Sequence, residues 1–160
     1  MEFVMTVALK IRELLEKGRI NYQVLEHSLA FTSLEIAEAQ HLPGHQVVKS
    51  VIINGDGKWL LCVLSSTHKI DFQKLKNALS LRDAALAGEE EIAALFPGCE
   101  VGAMPPFGQL AGMEVYVDTN LLENDMIAFN AGTHTDMIKI KFKDFMHLEN
   151  PSVANFSVHI

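Results

Sequence analysis

Apolar residues recur at helical spacing near the start of the chain. Val4, Val7, Ile11, Leu14 and Leu15 share one face and Gly18 follows them, so residues 4–17 are predicted to form a helix that stops at the glycine. The period then shortens to two in NYQVLEH, the pattern of a strand with one buried face. Thr32 and Glu35 stand in capping-box spacing at the head of TSLEIAEAQ, which predicts a second helix broken by HLPGH. Two apolar, β-branched runs come next, QVVKSVIIN and KWLLCVLSS, joined by GDG as in a hairpin. Asp71 is placed to cap a helix in DFQKLKNAL, and EEEIAALF reads as another, its acids at the positive N-terminal end. MEVYVD, MIAFNAG and MIKIKF alternate as strands do, and KDFMHLE is a short last helix that stops near Pro151. Helices alternating with hairpin-like pairs predict an α/β (α+β) fold, one domain over residues 1–160 with a mixed sheet flanked by helices.

Composition narrows the classes. A chain of 160 residues suits one domain, and a hydrophobic share of 49% supplies a core. No apolar run approaches the roughly 20 residues of a membrane span. Charges interrupt the N-terminal apolar positions, so that stretch reads as a helix of a cytosolic (cytoplasmic) protein, not as a signal peptide. Cys62 and Cys99 form no CxxC pair, and Cys62, inside WLLCVLSS, reads as a small buried hydrophobe. A net charge of −7 argues against broad gripping of nucleic acid, while leaving room for one nucleic-acid end in a locally basic pocket.

Three places could carry chemistry. Lys49 shares a strand face with Val47, Val51 and Ile53, while Val48, Ser50 and Ile52 share the other. An unpaired ammonium costs several kcal/mol to bury, so Lys49 either lies on an edge strand with its head in water or points into an anion-binding pocket. The loop VGAMPPFG, residues 101–108, holds no ionisable side chain. Pro105 and Pro106 stiffen it and Gly102 and Gly108 allow close approach, so it is a rigid connection or a frame that aims amides such as those of Ala103, Met104 and Phe107 at an oxyanion. FNAGTHTD, residues 129–136, is a polar site wall or an ordinary turn. His41 and His45, separated by Pro43 and Gly44, make a poor metal pair, and no GxSxG elbow supports a hydrolase triad. The alternation of Lys139, Lys141 and Lys143 with Ile138, Ile140 and Phe142 reads as a solvated sheet face, and Trp59 as core.

The order of these pieces is more specific than any one of them. VLEHSLAFTSLEIAEAQ, then VVKS on a strand, then GAMPP, then IAFNAG before a last strand and helix resembles the YbaK/ProX family of aminoacyl-tRNA editing domains, across almost the whole chain. VGAMPPFG followed by IAFNAG and NPSVANF looks most like its free-standing, ProX-like members. The resemblance implies a strongly curved sheet and a trans-acting deacylase that hydrolyses the ester of tRNA mischarged with a small amino acid. Its partner is then the 3′ acceptor end of mischarged aminoacyl-tRNA, with an aminoacyl-tRNA synthetase as a second candidate partner, and it needs no cofactor or metal. By the same resemblance the family's lysine falls on Lys49 and its GxxxP loop on Gly102, Ala103, Met104, Pro105 and Pro106. The loop amides would hold the scissile carbonyl while Lys49 positions a phosphate or the terminal nucleotide. Phe107, Phe129, Asn130, Gly132 and His134 would form the substrate-binding wall. Some relatives carry histidine where this chain has Asn130, and an amide is no general base at neutral pH. The alternative is a non-catalytic module of the same fold that binds a tRNA end or a synthetase.

Overall fold

A computed structural model of the chain describes residues 6–26 and 43–160. The helix expected in TSLEIAEAQ, with Thr32 and Glu35, and His41 lie outside the described residues. The first helix, α1, is Val7–Lys17, with Thr6 accepting a hydrogen bond from the Leu9 amide and Val7, Ile11 and Leu15 buried. Gly18 ends it with φ of −77°, and Arg19, at φ 56°, makes the left-handed turn. Strand β1 is Gln23–Glu26.

The predicted hairpin is β2 (Val48–Gly55) and β3 (Lys58–Ser65), paired antiparallel from Val48–Ser65 to Gly55–Lys58. Asp56 and Gly57 turn it with φ of 52° and 86°, the doubly left-handed turn that matches strand twist. Strand β4 is His68–Ile70, and helix α2, Phe72–Leu79, is capped by Asp71, whose Oδ1 accepts from the amides of Gln73 and Lys74 at 3.0 and 3.1 Å. Then come β5 (Ala84–Leu86), α3 (Glu89–Leu95), β6 (Glu114–Asp118), β7 (Met126–Asn130), β8 (Asp136–Lys141) and α4 (Phe142–Glu149). Asn150, at φ 51°, stops α4 before Pro151. Strands β9 (Ser152–Ala154) and β10 (Ser157–His159) close the chain. Strands β4, β5, β9 and β10 are not predicted from the sequence, because three residues are too few to show a period.

The mixed sheet is present, in the order β5-β2-β3-β6-β9, antiparallel on the β5-β2-β3 side and parallel from β3 through β6 to β9. It does not stand alone. Strands β1, β8 and β7 make an antiparallel sheet of three, and β4 pairs with β10. A single parallel bridge, Val47 to Ala128, lays the head of β2 beside β7. The main core fills the angle between the two larger sheets: Val48, Ile52, Leu61, Val63, Val115 and Val117 meet Phe129, Ile138 and Ile140, with α1 and α4 closing it through Ile11, Leu15 and Phe145. Burial of each such side chain is worth about 1.5–3 kcal/mol. A second cluster of Ile53, Cys62, Leu64, Leu75 and Phe156 covers the opposite face of β2 and β3. Cys62 is fully buried there and its thiol is pushed up to about 12, which suits a hydrophobe and not a nucleophile. Trp59 is only partly buried, at the rim of the main core. Ile138, Ile140 and Phe142 are buried, while Lys141 and Lys143 are exposed and Lys139 is half-buried. Among the described residues no helix is long and apolar enough to cross a membrane.

Candidate functional site

Lys49 is not on an edge strand. Its strand β2 has β3 along its whole length, with Leu64 opposite Lys49. On the other side β5 pairs only at Ile53–Gly55, so that flank is open at Lys49. The open flank is where the second sheet arrives. Val47 bridges Ala128 in parallel, and Lys49 and Asn130 each lie two residues further along their own strands, on the faces that Val47 and Ala128 occupy. Asn130 in turn pairs with Met137, and Met137 with Leu25. Lys49 is half-buried, and among the described residues no carboxylate is within salt-bridge reach. Burial pulls its amine below the ordinary lysine value.

The GxxxP loop docks just beyond Asn130. The Glu100 amide donates to Gly132 O at 2.8 Å, and the Gly132 amide donates to Ala103 O at 3.0 Å, so loop and strand end clasp one another. Gly132 has φ of +96°, and a Cβ there would lie 2.8 Å from Val7 Cβ in α1; only glycine fits between helix and loop. Gly102 has φ of +85° and is exposed, whereas Ala103, Met104, Pro105, Pro106 and Phe107 are buried. Within the loop the Ala103 amide is already spent on Glu100 O at 3.0 Å. The amides of Gly102 and Met104 have no acceptor among the described residues.

His134 braces this arrangement. Its Nε2 donates to Val101 O at 2.8 Å and its backbone amide to Glu100 Oε2 at 3.1 Å, and the residue is buried, 7% exposed. A carbonyl only accepts, so the proton sits on Nε2. Thr133 Oγ1 donates to Asp136 Oδ2 at 2.6 Å and accepts from the Asp136 amide, fixing the turn that carries His134. FNAGTHTD is therefore a turn, and also the seat of the loop. Phe107 and Phe129 stack edge to face at 5.4 Å inside the main core, Phe107 also against Phe145 at 5.5 Å. Phe129 points away from the face that Asn130 shares with Lys49. These rings lock the loop onto β7 from beneath.

Three groups near Lys49 are not singled out by the sequence. Asp118, fully buried, accepts from the Phe156 amide at 3.0 Å, Ser157 Oγ at 2.7 Å and both the backbone and side-chain nitrogens of Asn120. Ser157 Oγ then lies 3.0 Å from His68 Nδ1. Burial holds the His68 imidazole below its ordinary value, Asp118 opposes that, and the charges of His159, Lys49 and Lys74 add to it. The joining of residues 68, 118 and 157 depends on three-residue strands and leaves no local signal. His45, half of the rejected metal pair, hydrogen-bonds Asn124 Oδ1 through Nδ1 at 2.6 Å.

The aminoacyl-tRNA editing domain family matches residues 27–148. The multifunctional Ser/Thr-tRNA deacylase ProXp-y of Escherichia coli K12 is 27% identical over 148 residues, which cover 89% of this chain and 88% of that one. The proline–tRNA ligase of Halalkalibacterium halodurans is 34% identical over 89 residues, 56% of this chain but 15% of the ligase. Among solved structures, a proposed trans-editing enzyme for prolyl-tRNA synthetase has a TM-score of 0.83 at 23% identity, covering 98% of this chain and 99% of its own. A crystallised hypothetical protein has a TM-score of 0.84 at 19% identity, covering 93% and 99%. The mixed α/β fold is that of the editing-domain structures.

Proposed function

Because the chain belongs to the aminoacyl-tRNA editing domain family, we propose that it is a trans-acting aminoacyl-tRNA deacylase, a hydrolase of the carboxylic ester in tRNA mischarged with a small amino acid. The reading treats residues 1–160 as one editing domain working in the cytosol on the 3′ acceptor end of aminoacyl-tRNA. The E. coli relative, named a deacylase and matched over 88% of its length, supports the deacylase reading, and the partial match to proline–tRNA ligase makes a synthetase a second candidate partner.

One observation carries the chemistry: a half-buried lysine with no carboxylate in reach among the described residues lies on the strand whose head bridges Ala128, two residues before Asn130, and a loop with two amides that find no acceptor among those residues is clasped onto the end of that second strand. In the proposed reaction the Gly102 and Met104 amides, not that of Ala103, face the ester carbonyl. Water adds to the carbonyl carbon, and the negative charge gathering on its oxygen is held by those donors. The bond to the ribose oxygen then breaks, that oxygen takes up a proton, and the amino acid leaves as its carboxylate. A preset donor of this kind is worth about 3 kcal/mol, a hundredfold or more in rate. Lys49 pairs with a phosphate of the terminal nucleotides as a point charge. Pro105 and Pro106 keep the frame rigid, and His134 holds its Val101 end.

The test is a deacylation panel over tRNAs charged with different small amino acids, run with wild type and Lys49→Ala. Wild type should release one or more of them, and Lys49→Ala should lose about 100-fold or more with an unchanged circular dichroism spectrum. Wild-type protein that binds charged tRNA and leaves every ester intact would replace the deacylase reading with that of a binding module.

A further inference from the structure

Two histidines stand side by side where the last strand folds back, and the proposed reaction uses neither. His159 on β10 pairs with His68 on β4, and their rings meet edge to face at 5.2 Å. The ring of His68 is oriented from behind. Ser157 Oγ gives its one proton to Asp118 at 2.7 Å, so it accepts from His68 Nδ1 at 3.0 Å. Asn120 Nδ2, 3.3 Å from the same nitrogen, donates to Asp118 at 2.9 Å. The proton of neutral His68 is therefore on Nδ1, which leaves Nε2 as an acceptor with no partner among the described residues. His159 is arranged alike: its Nδ1 donates to Ile160 O at 2.8 Å, and the residue is exposed.

Lys49 pairs with Leu64 on β3, and only Ser65, Ser66 and Thr67 separate Leu64 from His68. Val63, the residue before Leu64, pairs with Val117, the residue before Asp118, so the anchor of His68 is built on the strand that flanks β3 on its other side. The charges that act on His68 are those of Asp118, His159, Lys49 and Lys74. Asp118 is fully buried and occupied by the donors of Phe156, Ser157 and Asn120, so the cations outnumber the acid here, in a chain whose net charge is −7. Lys74 Nζ donates to Ser157 O at 3.2 Å, which ties one of those cations to β10. Resting on the reading in which Lys49 takes a phosphate of the terminal nucleotides, we propose that the unpaired 3′ end of the RNA leaves the site across the β4–β10 pair, where His159 stacks on an unpaired base and His68 Nε2 accepts a hydrogen bond from the same strand. A neutral acceptor is a poor partner for phosphate and a good one for an exocyclic base amine or a ribose 2′-hydroxyl, the donors that an unpaired nucleotide presents. Imidazole rings are among the side chains on which splayed bases stack. Lys49 and Lys74 supply the phosphate contacts.

Fluorescence anisotropy with uncharged RNA hairpins tests this without any turnover. Wild type should bind a hairpin with an unpaired 3′ C-C-A about 10-fold or more tightly than the same hairpin with a blunt end. His159→Ala should lose about 10-fold, and His68→Phe, which keeps a ring but no acceptor, about threefold to tenfold. Both should keep the salt slope of wild type, because neither imidazole is charged. On the wild-type protein, the overhang is also changed, either to 2′-deoxy sugars or to bases without the exocyclic amine (uracil for cytosine, purine for adenine). Weaker binding after the first change identifies the ribose hydroxyl as the donor to His68, and after the second the base amine. Equal affinity for blunt and overhanging hairpins, or indifference to both changes of the overhang, would overturn the assignment whatever the variants do. Folded variants that bind as wild type does, or that lose salt slope with affinity, would overturn it as well. A wild type that distinguishes the overhang yet leaves every aminoacyl ester intact would remove the deacylase reading and keep this surface. One that hydrolyses an ester but ignores the overhang would do the reverse.

Discussion

At the scale of single residues, the proposed role of Lys49 sets function against stability. Its amine is depressed because burial disfavours the charged form. The folded state therefore holds the proton less tightly than the unfolded state, and protonated Lys49 costs stability at every pH below its folded value. That cost fades as pH rises from the depressed value toward the ordinary one. Lys49→Met should therefore abolish deacylation yet raise the melting temperature at neutral pH by roughly 2–4 °C, corresponding to about 1 kcal/mol. The gain over wild type should shrink in strongly alkaline buffer. A Lys49→Met protein that melts below wild type at pH 7 would mean that the ammonium is paired and stabilising.

At the scale of elements, the proposed site is a clasp between a loop and a strand end, and small residues decide whether it closes. Gly132→Ala forces a Cβ to 2.8 Å from Val7 in a backbone region unfavourable to alanine. The expected loss is about 1–3 kcal/mol, read by thermal denaturation, with a larger proportional loss of deacylation because the loop that Gly132 holds must shift. A variant with wild-type melting and wild-type turnover would separate the clasp from the chemistry. The second tie is Asp118, which gathers the amide of Phe156, Ser157 and Asn120 around one buried carboxylate. Asp118→Ala leaves those donors unsatisfied and should cost about 3 kcal/mol or more, with protection from hydrogen exchange lost first at Phe156 and Ser157. Wild-type exchange there would show that the β4–β10 pair alone anchors this segment.

At the scale of the whole molecule, electrostatics constrain how RNA is held. A net charge of −7 repels a polyanion in general, so on the proposed reading binding rests on a few cations around the site, with Lys49 foremost. Affinity for tRNA should then fall only shallowly with salt, with a slope in log–log form equivalent to about one or two phosphates, at roughly 0.7–0.9 per contact. Lys49→Ala should reduce that slope by nearly one. A slope corresponding to six or more contacts would place a much wider basic surface on the RNA.

What the sequence determined by itself is whatever depends on neighbours within a few positions. Helix α1 follows from the spacing of Val7, Ile11 and Leu15, the β2–β3 hairpin from two β-branched runs across Asp56-Gly57, and the head of α2 from Asp71. The order VVKS, GAMPP, IAFNAG was enough to point to the family and to gather the candidate residues. Tertiary structure decided the relations between distant segments. The Val47–Ala128 bridge brings the strand of Lys49 to the strand that ends in Asn130, and two hydrogen bonds between Glu100–Ala103 and Gly132 turn an isolated loop into one wall of the proposed site. It also divided the sheet, moved Phe107 and Phe129 into the core, and joined Asp118 at the end of β6 to Ser157 at the head of the three-residue β10. The physical reason is range: spacing and capping act over one or two turns of chain, whereas register between strands far apart in sequence is fixed by which faces can be buried together.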